Sequence, residues 1–165
     1  MTAELSRRAA LGVIAGLAAL PAFAGAAFAQ SRTAVSAIEV DVSPLRRQGA
    51  GVFADIVQSA LRRELAAVYT ISSGGPRLVV RIDSFFLNSS LGDSDFDFSR
   101  AQIPNFDSMT GVNRLVARDG SVVAEYPLHS TTRSDAAGSM WREGIERDRA
   151  VLISRDYAHW VARRF

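Results

Sequence analysis

Two histidines, His129 and His159, are the chain's only side chains that ordinarily change charge near neutral pH. His129 stands in the run His129-Ser130-Thr131-Thr132, where a base and a hydroxyl could make a nucleophile pair. Adjacent strand residues point to opposite faces, so Ser130 is not available to His129, whereas Thr131 is. His159 follows Arg155 by one turn of a helical pattern and precedes Trp160, a setting that reads as structural. Asp93-x-Asp95-x-Asp97 has the alternate carboxylates of a calcium loop. Its sixth position is Phe98 instead of Gly and its twelfth is Pro104 instead of Glu, so the cation loop is incomplete. There are no cysteines, hence no disulfide, thiolate metal site or thiol nucleophile. No Gly-x-Ser-x-Gly, His-Glu-x-x-His or phosphate-cradling glycine motif occurs. No catalytic residue, metal or cofactor is assigned from these patterns, and a non-catalytic binding role is the expectation. The alternative is a small hydrolase or isomerase with a pocket between sheet and helices.

The residues 88–108 are the most unusual stretch. Phe96, Phe98 and Phe106, with Leu91 and Ile103, interleave with Asp93, Asp95, Asp97 and Asp107. Two readings stay open. Phe96 and Phe98 alternate with Asp95 and Asp97 as an edge strand would, and the same composition suits an aromatic, acidic arm that docks on a partner. On the second reading Phe96, Phe98, Phe106, Asp93, Asp95 and Asp97 are the partner-binding residues.

The elements around this insert are regular. Ile38, Val40 and Val42 alternate with Glu39 and Asp41, which predicts a half-buried strand ended by Ser43-Pro44 and Gly49-Ala50-Gly51. Val52, Phe53, Ile56, Val57, Ala60, Leu61, Leu65 and Val68 recur at steps of three and four and predict an amphipathic helix. Leu78, Val80 and Ile82 mark a second strand running into Phe85-Phe86-Leu87. Segments 109–118 and 121–130 flank Asp119-Gly120 as a hairpin with a two-residue connection. Thr131 to Gly138 reads as a linker. Ile145, Leu152, Ile153, Tyr157, Trp160 and Val161 then predict a closing helix, acidic at its start and basic at its end. The fold class expected is α+β: about four strands, mostly antiparallel, with two helices on one face, in the order β-α-β-β-β-α. Val79 lies among the residues facing away from the helices, so that second sheet face invites a cover, for which the 88–108 insert is the candidate.

The first 29 residues supply the address. Arg7 and Arg8 precede a run from Ala9 to Ala29 that has no acid or base and ends Ala27-Phe28-Ala29. A charged start, an apolar middle and a small-x-small end are the pattern of an export signal, placing cleavage after Ala29 and one domain at 30–165. A retained anchor is the competing reading, since the run approaches the roughly 20 residues that span a bilayer. Pro21, the abundance of Ala and the Ala27-Phe28-Ala29 end favour removal. A soluble periplasmic protein is then expected, with no stable membrane insertion after cleavage. All 19 basic residues are Arg, and with 17 acids they set a net charge of only +2. Arg7, Arg8 and Glu4 leave with the signal, so the remainder is close to neutral. Its arginines are spread along the chain, which argues against nucleic acid as a partner.

Ser6-Arg7-Arg8-Ala9-Ala10-Leu11 resembles the twin-arginine signals of bacterial export, with Ala10 where those signals usually carry Phe and Gly12 where Lys often closes the motif. The resemblance implies the export machinery as a transient partner of Arg7, Arg8, Ala27 and Ala29. The order strand, helix, three strands, helix, with a long insert before an Asp-Gly hairpin, is similar to the lipopolysaccharide-assembly lipoprotein family and related periplasmic accessory domains. Here the lipidated cysteine of that family is missing. That resemblance implies a non-catalytic role beside an envelope protein or complex.

Overall fold

A computed structural model describes residues 33–88, 105–139 and 141–165. Arg7, Arg8, Ala27 and Ala29 of the export signal, and Asp93, Asp95, Phe96, Asp97 and Phe98 of the insert, lie outside the described residues.

The described chain is α+β. β1 (Ala34–Val35) and β2 (Ala37–Asp41) divide at Ser36, and Val42, expected in the strand with Ile38 and Val40, lies just beyond β2. α1 (Ser43–Arg47) and α2 (Gly51–Val68) follow, then β3 (Thr70–Ile71), β4 (Arg77–Phe86), β5 (Phe106–Val116), β6 (Val122–Arg133) and α3 (Ile145–Ala162). The main sheet has the order β2-β4-β5-β6, with β2 parallel to β4 and the other ladders antiparallel. β1 and β3 form a separate parallel pair.

Four local expectations are corrected. Ser43-Pro44 does not simply end a strand, because Pro44 is pre-set for a first helical turn and α1 buries Pro44 and Leu45. The Asp-Gly hairpin is present with a longer connection. Gly120 N–H donates to the Ala117 carbonyl at 3.0 Å and Ala117 N–H to the Ser121 carbonyl at 2.8 Å, leaving Arg118-Asp119-Gly120 as the loop. Gly120, at φ 86°, takes the left-handed position that closes such a three-residue turn. The expected linker from Thr131 is strand as far as Arg133. The insert is shorter than 88–108, because Phe106, Asp107 and Ser108 already belong to β5.

Both long helices cover the same sheet face. Leu78, Val80 and Ile82 of β4 and Met109 of β5 form one core with Val57, Leu61 and Leu65 of α2 and with Ile153, Tyr157 and Val161 of α3. Val52 and Trp160, assigned to apolar helix stripes by spacing, are 76% and 44% exposed. Close approach at the α3 crossing depends on Gly111. A Cβ there would meet the Arg81 carbonyl and stand 2.7 Å from the Tyr157 hydroxyl. The outer face carries the cross-strand ion pairs Arg77–Glu39 at 3.4 Å and Arg114–Glu125, and the pair Arg81–Asp83 within β4 at 2.8 Å. Val79 and Val112 are half-buried among them.

Candidate functional site

The sheet has two unlike ends. At one, β4 finishes, β5 begins and β6 finishes, and both long helices start; the Phe53 and Phe85 rings, 5.9 Å apart, bring the first turn of α2 there. This end is called the insert pole, because β4 ends and β5 begins here, on either side of residues 89–104 in the sequence.

A buried ion pair holds the pole together. Asp107 and Arg149 are 1% and 3% exposed. Arg149 donates through Nε to Asp107 Oδ2 at 2.9 Å and through Nη2 to Oδ1, a bidentate pair. The same Nη2 donates to the Asn88 carbonyl at 2.7 Å, while Asn88 N–H and Ser134 Oγ donate to Asp107 Oδ1 at 3.1 and 2.8 Å. Ser134 N–H donates to the Asn105 carbonyl at 2.9 Å. One carboxylate and one guanidinium thus join the last residue before the insert, the start of β5, the end of β6 and the second turn of α3. Burying two charges is costly unless they are paired and hydrogen-bonded, and here five hydrogen bonds converge on the two groups.

Four apolar side chains near this end are exposed among polar neighbours that include Arg133 and Asp135. Val52 is 76% exposed, Phe86 59%, Phe106 45% and Trp141 84%. Phe86 pairs with Ser108 and Phe106 with Arg133, so both rings stand on the outer sheet face two residues apart in register. Trp141 precedes α3 by four residues. Of the partner-binding residues expected from sequence, Phe106 is the one described, and it lies on this surface. Asp107, counted with the acidic residues of the insert, is instead inside the protein.

Arg149 had a signal in the sequence that spacing arguments passed over. Ile145, Arg149, Ile153 and Tyr157 are four residues apart and share one face of α3, so an arginine sits inside the apolar stripe. A charge in that position requires a buried counter-charge. Asp107 has the matching signature, since it alternates in phase with Met109, Gly111 and Asn113 on the inner face of β5.

The histidines do not meet in a cleft. His129 accepts from or donates to Thr110 Oγ1 through Nδ1 at 2.8 Å, so its hydroxyl partner is across the ladder on β5 and not Thr131. Both residues face outward from the sheet. His159 is exposed beside Trp160, with ring centroids 6.3 Å apart. A groove of about 220 Å³ lies between the outer sides of α2 and α3, lined by Asp55, Ser59, Arg63, Arg147 and Val151 among others, on the side of the sheet away from His129. Among the described residues no group of three or more His, Asp or Glu side chains is placed to hold a metal ion.

Shifted acidities follow turns and burial. Hydrogen bonds from Ser43 hold Asp41 below the ordinary carboxylate value, and hydrogen bonds from Ser121 do the same for Asp119. The Arg133 guanidinium lowers Asp135. Burial pushes the Tyr69 phenol up to about 12. Burial also raises Tyr157, against an opposing hydrogen bond from Asn113 Nδ2 at 3.1 Å.

No protein-family model and no curated protein matches the chain. Among solved structures it is similar to a minor lipoprotein from Acinetobacter baumannii, at 14% identity and a TM-score of 0.45, over 81% of this chain and 90% of that one. An uncharacterised protein matches at 12% identity and a TM-score of 0.43, over 81% and 92%. The PelC dodecamer of Paraburkholderia phytofirmans matches at 13% identity and a TM-score of 0.38, over 76% and 86%. No helix among the described residues is long and apolar enough to cross a membrane.

Proposed function

We propose that this chain is an exported, periplasmic protein of the bacterial envelope that acts by binding another envelope protein or complex, without chemistry of its own. The observation that carries the reading is the pair Phe86 and Phe106, exposed two residues apart in register on the outer sheet face at the pole built on Asp107–Arg149, with Trp141 exposed just ahead of α3. Exposed apolar clusters of this kind serve as contact surfaces, and aromatic side chains dominate the energy of such contacts. A hydrogen-bonded ion pair beneath them, tying four chain segments together, lowers the ordering cost of docking. Phe96, Phe98, Asp93, Asp95 and Asp97 extend the same contact on this reading. The export signal, with Arg7 and Arg8 at its start and Ala27 and Ala29 at its end, delivers the domain to that compartment.

The test is capture from an envelope extract with the tagged protein, comparing the unaltered chain with Phe86→Ser/Trp141→Ser. Loss of one discrete co-purifying protein with unchanged melting supports the reading. Retention of every captured protein by the variant contradicts it. Amino-terminal sequencing of the cellular protein is expected to begin at Gln30, and a cytosolic protein beginning at Met1 would remove the envelope assignment.

A further inference from the structure

β6 is the outer strand of the sheet, and among the described residues it hydrogen-bonds a neighbour on one side only. Leu128, Ser130 and Thr132 point into the core, while Glu125, Pro127, His129, Thr131 and Arg133 are exposed. The ladder fixes which main-chain groups face out. Ser134 N–H bonds to the Asn105 carbonyl at 2.9 Å, so the even-numbered residues of β6 exchange hydrogen bonds with β5. The odd-numbered residues therefore turn their N–H and C=O groups to the free side. Pro127 is one of them, and its missing N–H costs the β5 ladder nothing.

An edge with unpaired main-chain groups is a template for one more strand. We propose that the strand it takes is β6 of a second copy of this chain, antiparallel, about a two-fold axis at His129. In that register Glu125 faces Arg133 of the partner subunit, and Arg133 in turn faces the partner subunit's Glu125. His129 meets its own copy on the axis, and Pro127, opposite Thr131 of the partner subunit, contributes its carbonyl alone. Opposite charges directly across a ladder stabilise it and like charges oppose it. A two-fold axis at Thr131 would set Arg133 against a histidine, and an axis at Pro127 would remove Glu125 from Arg133 and bring two prolines together. Axes at Leu128 and Ser130 would set Glu125 against Thr131 of the partner subunit and Asp135 of the partner subunit, respectively, so the arrangement centred on His129 is selected by charge. Existing partners do not bar it, since the Arg133–Asp135 and Arg114–Glu125 pairs are exposed and such pairs contribute little. The contact is isologous and closes on itself, and with one strand added per copy the dimer is expected to depend on concentration.

Sedimentation of the purified protein over a wide concentration range tests this surface independently of any envelope partner. The unaltered chain is expected to move from one-copy to two-copy mass as concentration rises. Glu125→Arg and Arg133→Glu should each hold the protein at one-copy mass, and the double reversal Glu125→Arg/Arg133→Glu should restore the two-copy species. Far-UV circular dichroism of all three variants should match the unaltered chain, which separates lost pairing from lost folding. One-copy mass at the highest concentration, species larger than two copies, or a double reversal that stays at one-copy mass would each overturn the proposal.

Discussion

The two ends of the sheet are held by different means. At the hairpin end the chain closes through a local turn and exposed neutral hydrogen bonds. Arg118-Asp119-Gly120 makes a short loop, Thr33 Oγ1 donates to the Phe165 carbonyl at 2.7 Å, and the β1–β3 pair lies beside them. At the insert pole the fastening is buried and ionic, through Asp107 and Arg149. Turn chemistry needs only neighbours, so the hairpin end tolerates exposure. A buried pair excludes water and fixes four chain segments at once, which is what a surface carrying Phe86, Phe106 and Trp141 requires of its base.

That contrast can be broken most severely at Arg149. Arg149→Met leaves the Asp107 carboxylate buried without its counter-charge, and the expected loss is about 3–5 kcal/mol in denaturant melts. The double variant Asp107→Leu/Arg149→Met should recover most of it, because the uncompensated charge is gone. A single variant as stable as the unaltered chain would mean that the pair is open to water. The next largest effect is expected in the body of the sheet. Gly111→Ala forces the Tyr157 hydroxyl or the β4 backbone to move, at about 1–3 kcal/mol, read from thermal melts.

Acid titration gives a smaller effect at both ends. Asp119 at the hairpin and Asp135 after β6 have native pKa values below those of the unfolded chain, as does Asp41. Their contribution is therefore complete above the unfolded carboxylate value of about 3.9 and is lost as pH falls through the lower native values. Asp119→Asn should flatten the acid limb of a stability-versus-pH curve slightly; an unchanged limb would show that the Ser121 hydrogen bonds do not persist in solution.

How much of this was readable in the sequence divides along the same line. Alternation at Leu78, Val80 and Ile82 and the stripe at Val57, Leu61 and Leu65 foretold the strands, the helix and the shared core, because burial imposes those periods locally. Asp119-Gly120 announced the hairpin, although the turn length depended on the positive φ of Gly120 and the pairing of Ala117 with Ser121. The pole was less legible. Asp107 and Arg149 each stand in phase with the buried positions of their own element, which marks them as inward charges, but their partnership across 42 residues is written in neither element. Val52 fitted the α2 stripe by spacing yet is exposed, because it lies at the first turn, beyond the edge of the sheet. Thr110 already falls opposite His129 in the hairpin expected from Asp119-Gly120, and the bulge between Leu115 and Val116 keeps that register despite the longer loop.

The central claim is that the apolar surface at the insert pole is a docking surface and comparable side chains elsewhere are not. The direct measurement is capture from an envelope extract by two variants matched in exposed apolar side chains, Phe86→Ser/Trp141→Ser at the pole and Ile71→Ser/Val122→Ser at the opposite end. Each should melt within about 0.5 kcal/mol of the unaltered chain, as surface substitutions do. The account predicts that the pole variant loses its partner while the hairpin-end variant keeps it; equal capture by both, or loss from the hairpin-end variant alone, would contradict it.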